Sequence, residues 1–307
     1  MAKDILINLP TNLGDVILAL PTLDRLRASY PDSKLTAVVS PKTKDFVVRN
    51  NFIDEVVIFN KLWKTKQKMR FSLDLRGKYE VVVDFKNSLL PIILGARKHT
   101  PFIRRFPKNT HIKEKYLSLI EKLAPAKALS KSEFTLNDSE KKKWDSLGLS
   151  KSIFIACGSL SPLKEYPYEY LKEVVESLKK KHKIIILGTK KNRTVYKDIL
   201  LLEGVFDLVG KTEMIDVYYL LKNWGQVVLG VDSSITHLAS YLDIPVVAIF
   251  GPTSYERSQP WSKGSIVLQR EDLDCLPCEK ANCFNIKCMR IEPQKVIKAI
   301  EQVAQSK

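Results

Sequence analysis

The densest concentration of anion-competent chemistry in this 307-residue chain lies in residues 230–253, GVDSSITHLASYLDIPVVAIFGPT. An apolar run ends at Gly230, Asp232-Ser233-Ser234 make a polar corner, and 235–242 have the spacing of a short helix. A second apolar run, 246–250, stops at Gly251-Pro252-Thr253. A strand entering a helix through such a corner leaves backbone N–H groups and a positive dipole end facing outward, which suits a phosphate. Ser233 and Ser234 add hydroxyl donors, and His237 sits one turn further in. Taken alone, the corner is more simply a helix cap with a packed histidine.

Two other loops carry candidate chemistry. Gly14-Asp15 fall where a first strand turns into a first helix, so Asp15 is either an N-cap carboxylate or a base placed to take a proton. In the loop at 157–167, CGSLSPLKEYP, Lys164 can meet a phosphate as a point charge, and Ser159 offers a hydroxyl. Four of five cysteines, Cys275, Cys278, Cys283 and Cys288, fall within CLPCEKANCFNIKC. This spacing is compatible with a structural metal, with reduced thiols packing a loop, or with disulfides.

These loops need a scaffold, and the hydrophobic pattern supplies one. Apolar runs at 4–9, 35–39, 55–59 and 81–85 alternate with helical spacing at 16–30 and 46–50. A polar stretch at 137–151 without sheet-like period is the expected linker region. Strands then follow at 153–156, 183–187, 206–208, 226–230 and 246–250, with helices at 168–181, 195–202, 214–222 and 293–304. Strands alternating with helices predict an α/β fold with parallel sheets, here as two tandem halves, 1–150 and 151–307. Loops at the carboxyl ends of such strands line a ligand site.

Composition narrows the function further. An apolar share of 45% with 27% charged residues is that of a globular protein. No apolar run reaches the roughly 18–20 residues that span a bilayer. The first ten residues lack a basic n-region, so no signal peptide is expected and the chain is expected in the cytoplasm. The formal charge of +16 is uneven: residues 1–150 hold 28 Lys+Arg against 16 Asp+Glu, net +12, and the remainder nets +4. Such a half calls for an acidic partner: nucleic acid, an anionic membrane or a phosphorylated substrate. Neither G-x-G-x-x-G after the first strand nor a P-loop sequence is present, which argues against a dinucleotide dehydrogenase and a P-loop NTPase.

Together, INLPTNLGDVILALPTLDRLRASYP (7–31), VVVDFKNS (81–88), SPLKEYP (161–167), GVDSSITHLASYLDIPVVAIFGPTS (230–254) and CLPCEKANCFNIKCM (275–289) resemble glycosyltransferase family 9, the ADP-heptose:lipopolysaccharide heptosyltransferases. The segments occur in the family's order and cover nearly the whole chain. The cysteine-rich tail is more similar to the type that adds the second heptose. Where the family has D-[ST]-G, Ser234 replaces the glycine. Lys190, Lys191 and Asn192 occupy a region where some members carry a nucleotide-binding Glu, which is therefore not carried over.

The resemblance implies a GT-B fold: two Rossmann-like domains facing a central cleft, acceptor on the first and sugar nucleotide on the second, with a final helix able to cross back onto the first. It implies inverting transfer of heptose from ADP-heptose to the lipopolysaccharide inner core, with Asp15 as base. Ser159, Lys164, Asp232, Ser233, Ser234 and His237 would hold the donor. Because protein groups stabilise the leaving diphosphate, no cofactor or divalent metal is expected in the chemistry. Asn12, Gly14, Lys86, Asn87, Arg97, Lys98, Arg104 and Arg105, with Lys108, are the acceptor-side candidates. Expected partners are the ADP-sugar, the lipid A–core oligosaccharide and the anionic inner face of the inner membrane. A relative using another nucleotide sugar is the nearer alternative; a basic nucleic-acid-binding protein, for which no reading motif is present, is the more distant one.

Overall fold

The structure is a computed structural model that describes residues 4–127, 130–156, 158–159, 161–278, 282–283 and 285–305. Cys157 and Leu160 of the 157–167 loop, and residues 279–281 and 284 of the cysteine segment, lie outside the described residues. The chain divides into two compact units, Met1–Thr135 and Leu136–Lys307.

The first unit is built on β1 (Ile5–Asn8), α1 (Leu13–Ser29), β2 (Leu35–Val39), α2 (Lys44–Val47), β3 (Glu55–Ile58) and α3 (Thr65–Leu75). It continues with β4 (Val81–Asp84), α4 (Leu90–Leu94), β5 (Lys98–His99) and α5 (Ile112–Leu119). The five strands are parallel in the order β3-β2-β1-β4-β5. Ile5, Leu6, Ile7, Val81, Val82 and Val83 are wholly buried. Uninterrupted apolar strands of this kind belong in a parallel sheet covered on both faces.

The second unit opens with α6 (Asp138–Asp145), β6 (Ser152–Ala156), α7 (Tyr168–Leu178), β7 (Ile184–Ile186), α8 (Asn192–Val195), α9 (Lys197–Leu200) and β8 (Val205–Asp207). It goes on through α10 (Met214–Trp224), β9 (Gly225–Val231), α11 (Ser234–Tyr241), β10 (Val246–Phe250), α12 (Tyr255–Ser258), β11 (Ile266–Gln269) and α13 (Pro293–Gln305). Its six parallel strands run β11-β10-β9-β6-β7-β8. α7 shows the amphipathic logic: Leu171, Val174, Val175 and Leu178 recur at helical spacing and all are buried. Each contributes about 1.5–3 kcal/mol of burial, so an Asp at Val174 would break the packing. α13 buries Val296, Ile297, Ile300 and Val303 and packs on α7, β9 and β10 of its own unit.

The polar stretch 137–151, expected as a linker region, carries α6 in its first half. Asn137 caps that helix by accepting from Glu140 N, 2.9 Å, while the Glu140 carboxylate accepts from Asn137 N, 2.7 Å. Trp144 is its one buried residue and donates its indole N–H to Asp216 of α10, 2.8 Å. A single tryptophan anchors a helix that three lysines in a row disguise. The first unit also contains α3, α4, β5 and α5, and the second contains β11, where the periodicity gave no element.

Candidate active site

In each sheet the order of strands reverses about the first strand of the unit, and the loops leaving that switch point are where parallel α/β sheets bind ligands. In the second unit the switch lies between β6 and β9. The loop after β6 carries Lys164 on a single 3-10 turn, Pro162–Lys164, and the loop after β9 carries Asp232. The two side chains meet at 2.6 Å, with 24% and 12% of their surfaces exposed. Asp232 also accepts from Ser258 Oγ at 3.0 Å and faces His237 Nε2 at 3.6 Å. Burial by itself would raise the Asp232 pKa. Attraction from His237 and Lys164, with hydrogen bonds from Lys164 and Ser258, outweighs it and leaves the pKa below the usual carboxylate value.

The corner then enters α11. Ser233 is extended (φ −154°, ψ 165°), and Thr236 turns its hydroxyl back to accept from Ser233 N, 3.2 Å. Ser234 starts the helix and is not among the residues of positive φ, so serine is accommodated there without backbone strain. Gly230 has a packing reason: a Cβ would come within 2.6 Å of Thr236 Cγ2. The hydroxyl oxygens of Ser233 and of Thr253, after adjacent strands β9 and β10, are buried and find no partner among the described residues. A buried unsatisfied hydroxyl costs about 1–3 kcal/mol, which an anion accepting from it would recover. The donor set therefore fits a diphosphate. Ser159, half-buried, accepts from Ser161 N at 3.2 Å, which ties it to its own loop.

In the first unit the switch lies between β1 and β4. Beneath it, Asn8 donates to the fully buried Asp84 at 2.7 Å and pins the two strand ends together. Asn12 is the N-cap of α1 and Asp15 lies in the helix's first turn. Asn12 Nδ2 reaches Asp15 Oδ2 at 3.3 Å, and both Gly14 and Asp15 are half-buried. Tyr116 on α5, which packs on α1, is a residue the sequence reading missed. Burial first, and the charge of Asp15 second, push its phenol well above the ordinary tyrosine value, while Arg104 opposes them. It is a neutral hydroxyl that feels the charge of that carboxylate.

The acceptor-side candidates separate into two groups. Arg104 spends its guanidinium on the main-chain oxygens of Asp84 at 2.5 Å, Phe85 at 3.4 Å and Pro101 at 3.0 Å, which makes it a brace for that edge. Lys86 is half-buried, its pKa lowered by burial, with Nζ 5.9 Å from the Phe59 ring centroid. Asn87 is exposed at a left-handed φ of 55°. Arg97, Lys98, Arg105 and Lys108 are exposed.

The four clustered cysteines are free thiols around a cavity of about 100 Å³, which Leu163 and Pro252 also line. Burial and the neighbouring Cys278 and Cys283 raise the Cys288 pKa. No group of three or more His, Cys, Asp or Glu among the described residues is placed to hold a metal ion. The segment packs against the end of β10, since a Cβ on Gly251 would collide with Met289 Sδ and crowd Cys288 Sγ.

Comparison with known proteins identifies the family. The model of glycosyltransferase family 9 (heptosyltransferase) matches residues 97–289. Lipooligosaccharide heptosyltransferase 2 of Campylobacter jejuni subsp. jejuni serotype O:6 is 27% identical over 319 residues, covering 98% of this chain and 99% of its own. Among solved structures, the glycosyl transferase family 9 from Veillonella parvula DSM 2008 superposes with a TM-score of 0.83 at 20% identity, covering 100% and 98%. E. coli ADP-heptose lps heptosyltransferase II gives 0.77 at 19% identity, covering 99% of both chains. The architecture is that of GT-B enzymes, and the chain belongs to glycosyltransferase family 9, the heptosyltransferases.

Proposed function

We propose that the enzyme transfers heptose from ADP-heptose to the inner core of lipopolysaccharide, inverting the anomeric centre. The carrying observation is the corner at the second switch point: a Lys164–Asp232 pair at 2.6 Å beside a helix N-terminus and two buried hydroxyls that find no partner among the described residues. The family supports a sugar-nucleotide donor, and the E. coli relative's description as an ADP-heptose enzyme supports ADP.

In the proposed reaction Asp15 takes the proton of the acceptor hydroxyl as that oxygen bonds to the anomeric carbon. The anomeric C–O bond to the β-phosphate breaks, and its electron pair leaves with ADP. Lys164 has three N–H donors and gives one to Asp232, so it retains donors for the diphosphate. The N-terminus of α11, with the Ser233, Ser234 and Thr253 hydroxyls, meets the charge growing on the leaving group. Asp232 and His237 shape the sugar side of the pocket. Charge stabilisation drawn from protein groups leaves no task for a divalent ion, so turnover should survive treatment with a chelator. The basic residues of the first unit favour an acceptor carrying phosphates and carboxylates in the anionic inner leaflet, reached from the cytoplasm.

A thermal-shift series with ADP, UDP, GDP and NAD tests the donor class. Preferential stabilisation by ADP is expected; preference for UDP or GDP would replace it with another nucleotide sugar, and no response to any nucleotide would overturn the reading of the corner.

A further inference from the structure

We infer that Cys275 and Cys278 form a thiol-modification site, at which a small-molecule disulfide oxidises the pair and so weakens the donor corner. Cys275, Cys278, Cys283 and Cys288 all line one cavity of about 100 Å³. Its wall also includes Leu163 and Pro252, the neighbours in sequence of Lys164 and Thr253. The transfer reaction uses none of these thiols.

The cysteine segment is built into two loops of the second unit. Tyr166, two residues after Lys164, is buried and donates its hydroxyl to the carbonyl oxygen of Ile291 at 2.6 Å. Cys288, Met289 and Ile291 belong to the same apolar core as Tyr166, and Leu273 and Leu276, which flank Cys275, pack on that core. On the other side, Met289 and Cys288 occupy the space that a side chain at Gly251 would need. The segment therefore wedges between the loop after β6 and the loop after β10, which carry Lys164 and Thr253. Close packing transmits a displacement of the wedge to both loops, while the cavity gives the sulfurs room to come together.

Position separates the four thiols. Cys288 is buried, and burial together with Cys278 and Cys283 raises its pKa, which keeps it protonated and unreactive. Cys283 is exposed and donates its thiol to the Asn285 carbonyl oxygen at 3.3 Å. Cys275 is exposed and Cys278 half-buried, and the two residues between them are the spacing at which thiol pairs exchange with disulfides. In the first step the Cys275 thiolate attacks one sulfur of the oxidant, breaks its S–S bond and expels one thiolate. The Cys278 thiolate then attacks the Cys275 sulfur of the mixed disulfide and expels the second. Two protein thiols lose two electrons and two protons, and the oxidant leaves as two thiols.

The effect on ADP rests on the reading of the corner as the donor site, whereas formation of the bond does not. The test treats the full chain with oxidised glutathione, maps the bond by alkylation and peptide mass, and titrates ADP before and after. A Cys275–Cys278 bond is expected, with ADP affinity lowered by about tenfold, the size of an ordinary coupling between sites. Dithiothreitol should restore the affinity of the same sample. The double variant Cys275→Ser, Cys278→Ser should bind ADP as the reduced parent does, with or without oxidised glutathione. A bond between other cysteines, a mixed disulfide that never closes, or a double variant that still loses affinity on oxidation would overturn the inference. So would a reduced parent that binds ADP and an oxidised one that binds it equally well. Absence of ADP binding by the reduced parent would overturn the donor reading itself, and the coupling with it.

Discussion

The two units solve one topological problem in opposite electrostatic ways. Each brings the loop after its first strand beside the loop after a later one, at a switch point of a parallel sheet. In the second unit the loops are joined by a charged pair, Lys164 to Asp232, with Ser258 and His237 closing around the carboxylate. In the first unit the joint is the buried Asn8–Asp84 hydrogen bond below the surface, and Asp15 stands above it with Asn12 and the neutral Tyr116. A self-neutralised corner with spare donors suits holding an anion of fixed charge. A carboxylate outside that network suits a group whose charge must change during reaction. The same contrast extends outward: the first edge is ringed by cations, whereas the second closes on its own cysteine segment.

The contrast can be broken most decisively at Asp15. Asp15→Ala should lower turnover by about 10²–10⁴-fold, the usual contribution of a general base, measured with saturating donor and acceptor. Retention of more than about a tenth of the parent rate would remove Asp15 from the base role.

Asp232→Asn comes next and addresses stability. Removing one partner of a partly buried ion pair should cost about 1–3 kcal/mol at neutral pH, less than the full cost of a wholly buried pair. Asp232 is depressed below its ordinary 3.8. The stability it contributes is thus fully present above that value and is lost as pH falls through its lowered folded pKa. Acid unfolding followed by circular dichroism should be shallower for Asp232→Asn than for the parent. Parallel curves would mean the pair contributes nothing to folding.

Tyr116→Phe should act on the first unit alone. Losing a neutral hydroxyl within the electrostatic reach of Asp15 should reduce kcat/KM for the acceptor by about tenfold, with the donor KM unchanged. A rise in the donor KM would contradict the division of labour. Smallest of all is Ser234→Gly, which restores the residue usual in the family. With no strain to relieve, ADP affinity should change by about threefold or less.

Much of this contrast was legible in the sequence, for identifiable reasons. Continuous apolar runs such as VVVD and SIFIA gave the strands, and the loop-after-strand rule put Lys164 on the rim of Asp232, where the pair forms. What escaped lacked local pattern. Ser258 reaches Asp232 from 26 residues downstream, and Tyr116 comes under the charge of Asp15 only through the packing of α5 on α1. α3 hides in the lysine run at 61–70 because it buries only Phe71 and Leu75 and is otherwise dominated by polar residues. Arg104 looked like an exposed cation in a basic run, yet three carbonyl oxygens claim its guanidinium. Charge count does not distinguish a brace from a contact.

The division of labour is tested most directly by calorimetric titration of ADP into the parent, Asp15→Ala and Lys164→Ala. Loss of a charged donor to phosphate should weaken ADP by about 10–100-fold in Lys164→Ala. Asp15→Ala should bind ADP as the parent does. Unchanged affinity in Lys164→Ala, or a loss in Asp15→Ala as large as that predicted for Lys164→Ala, would contradict it.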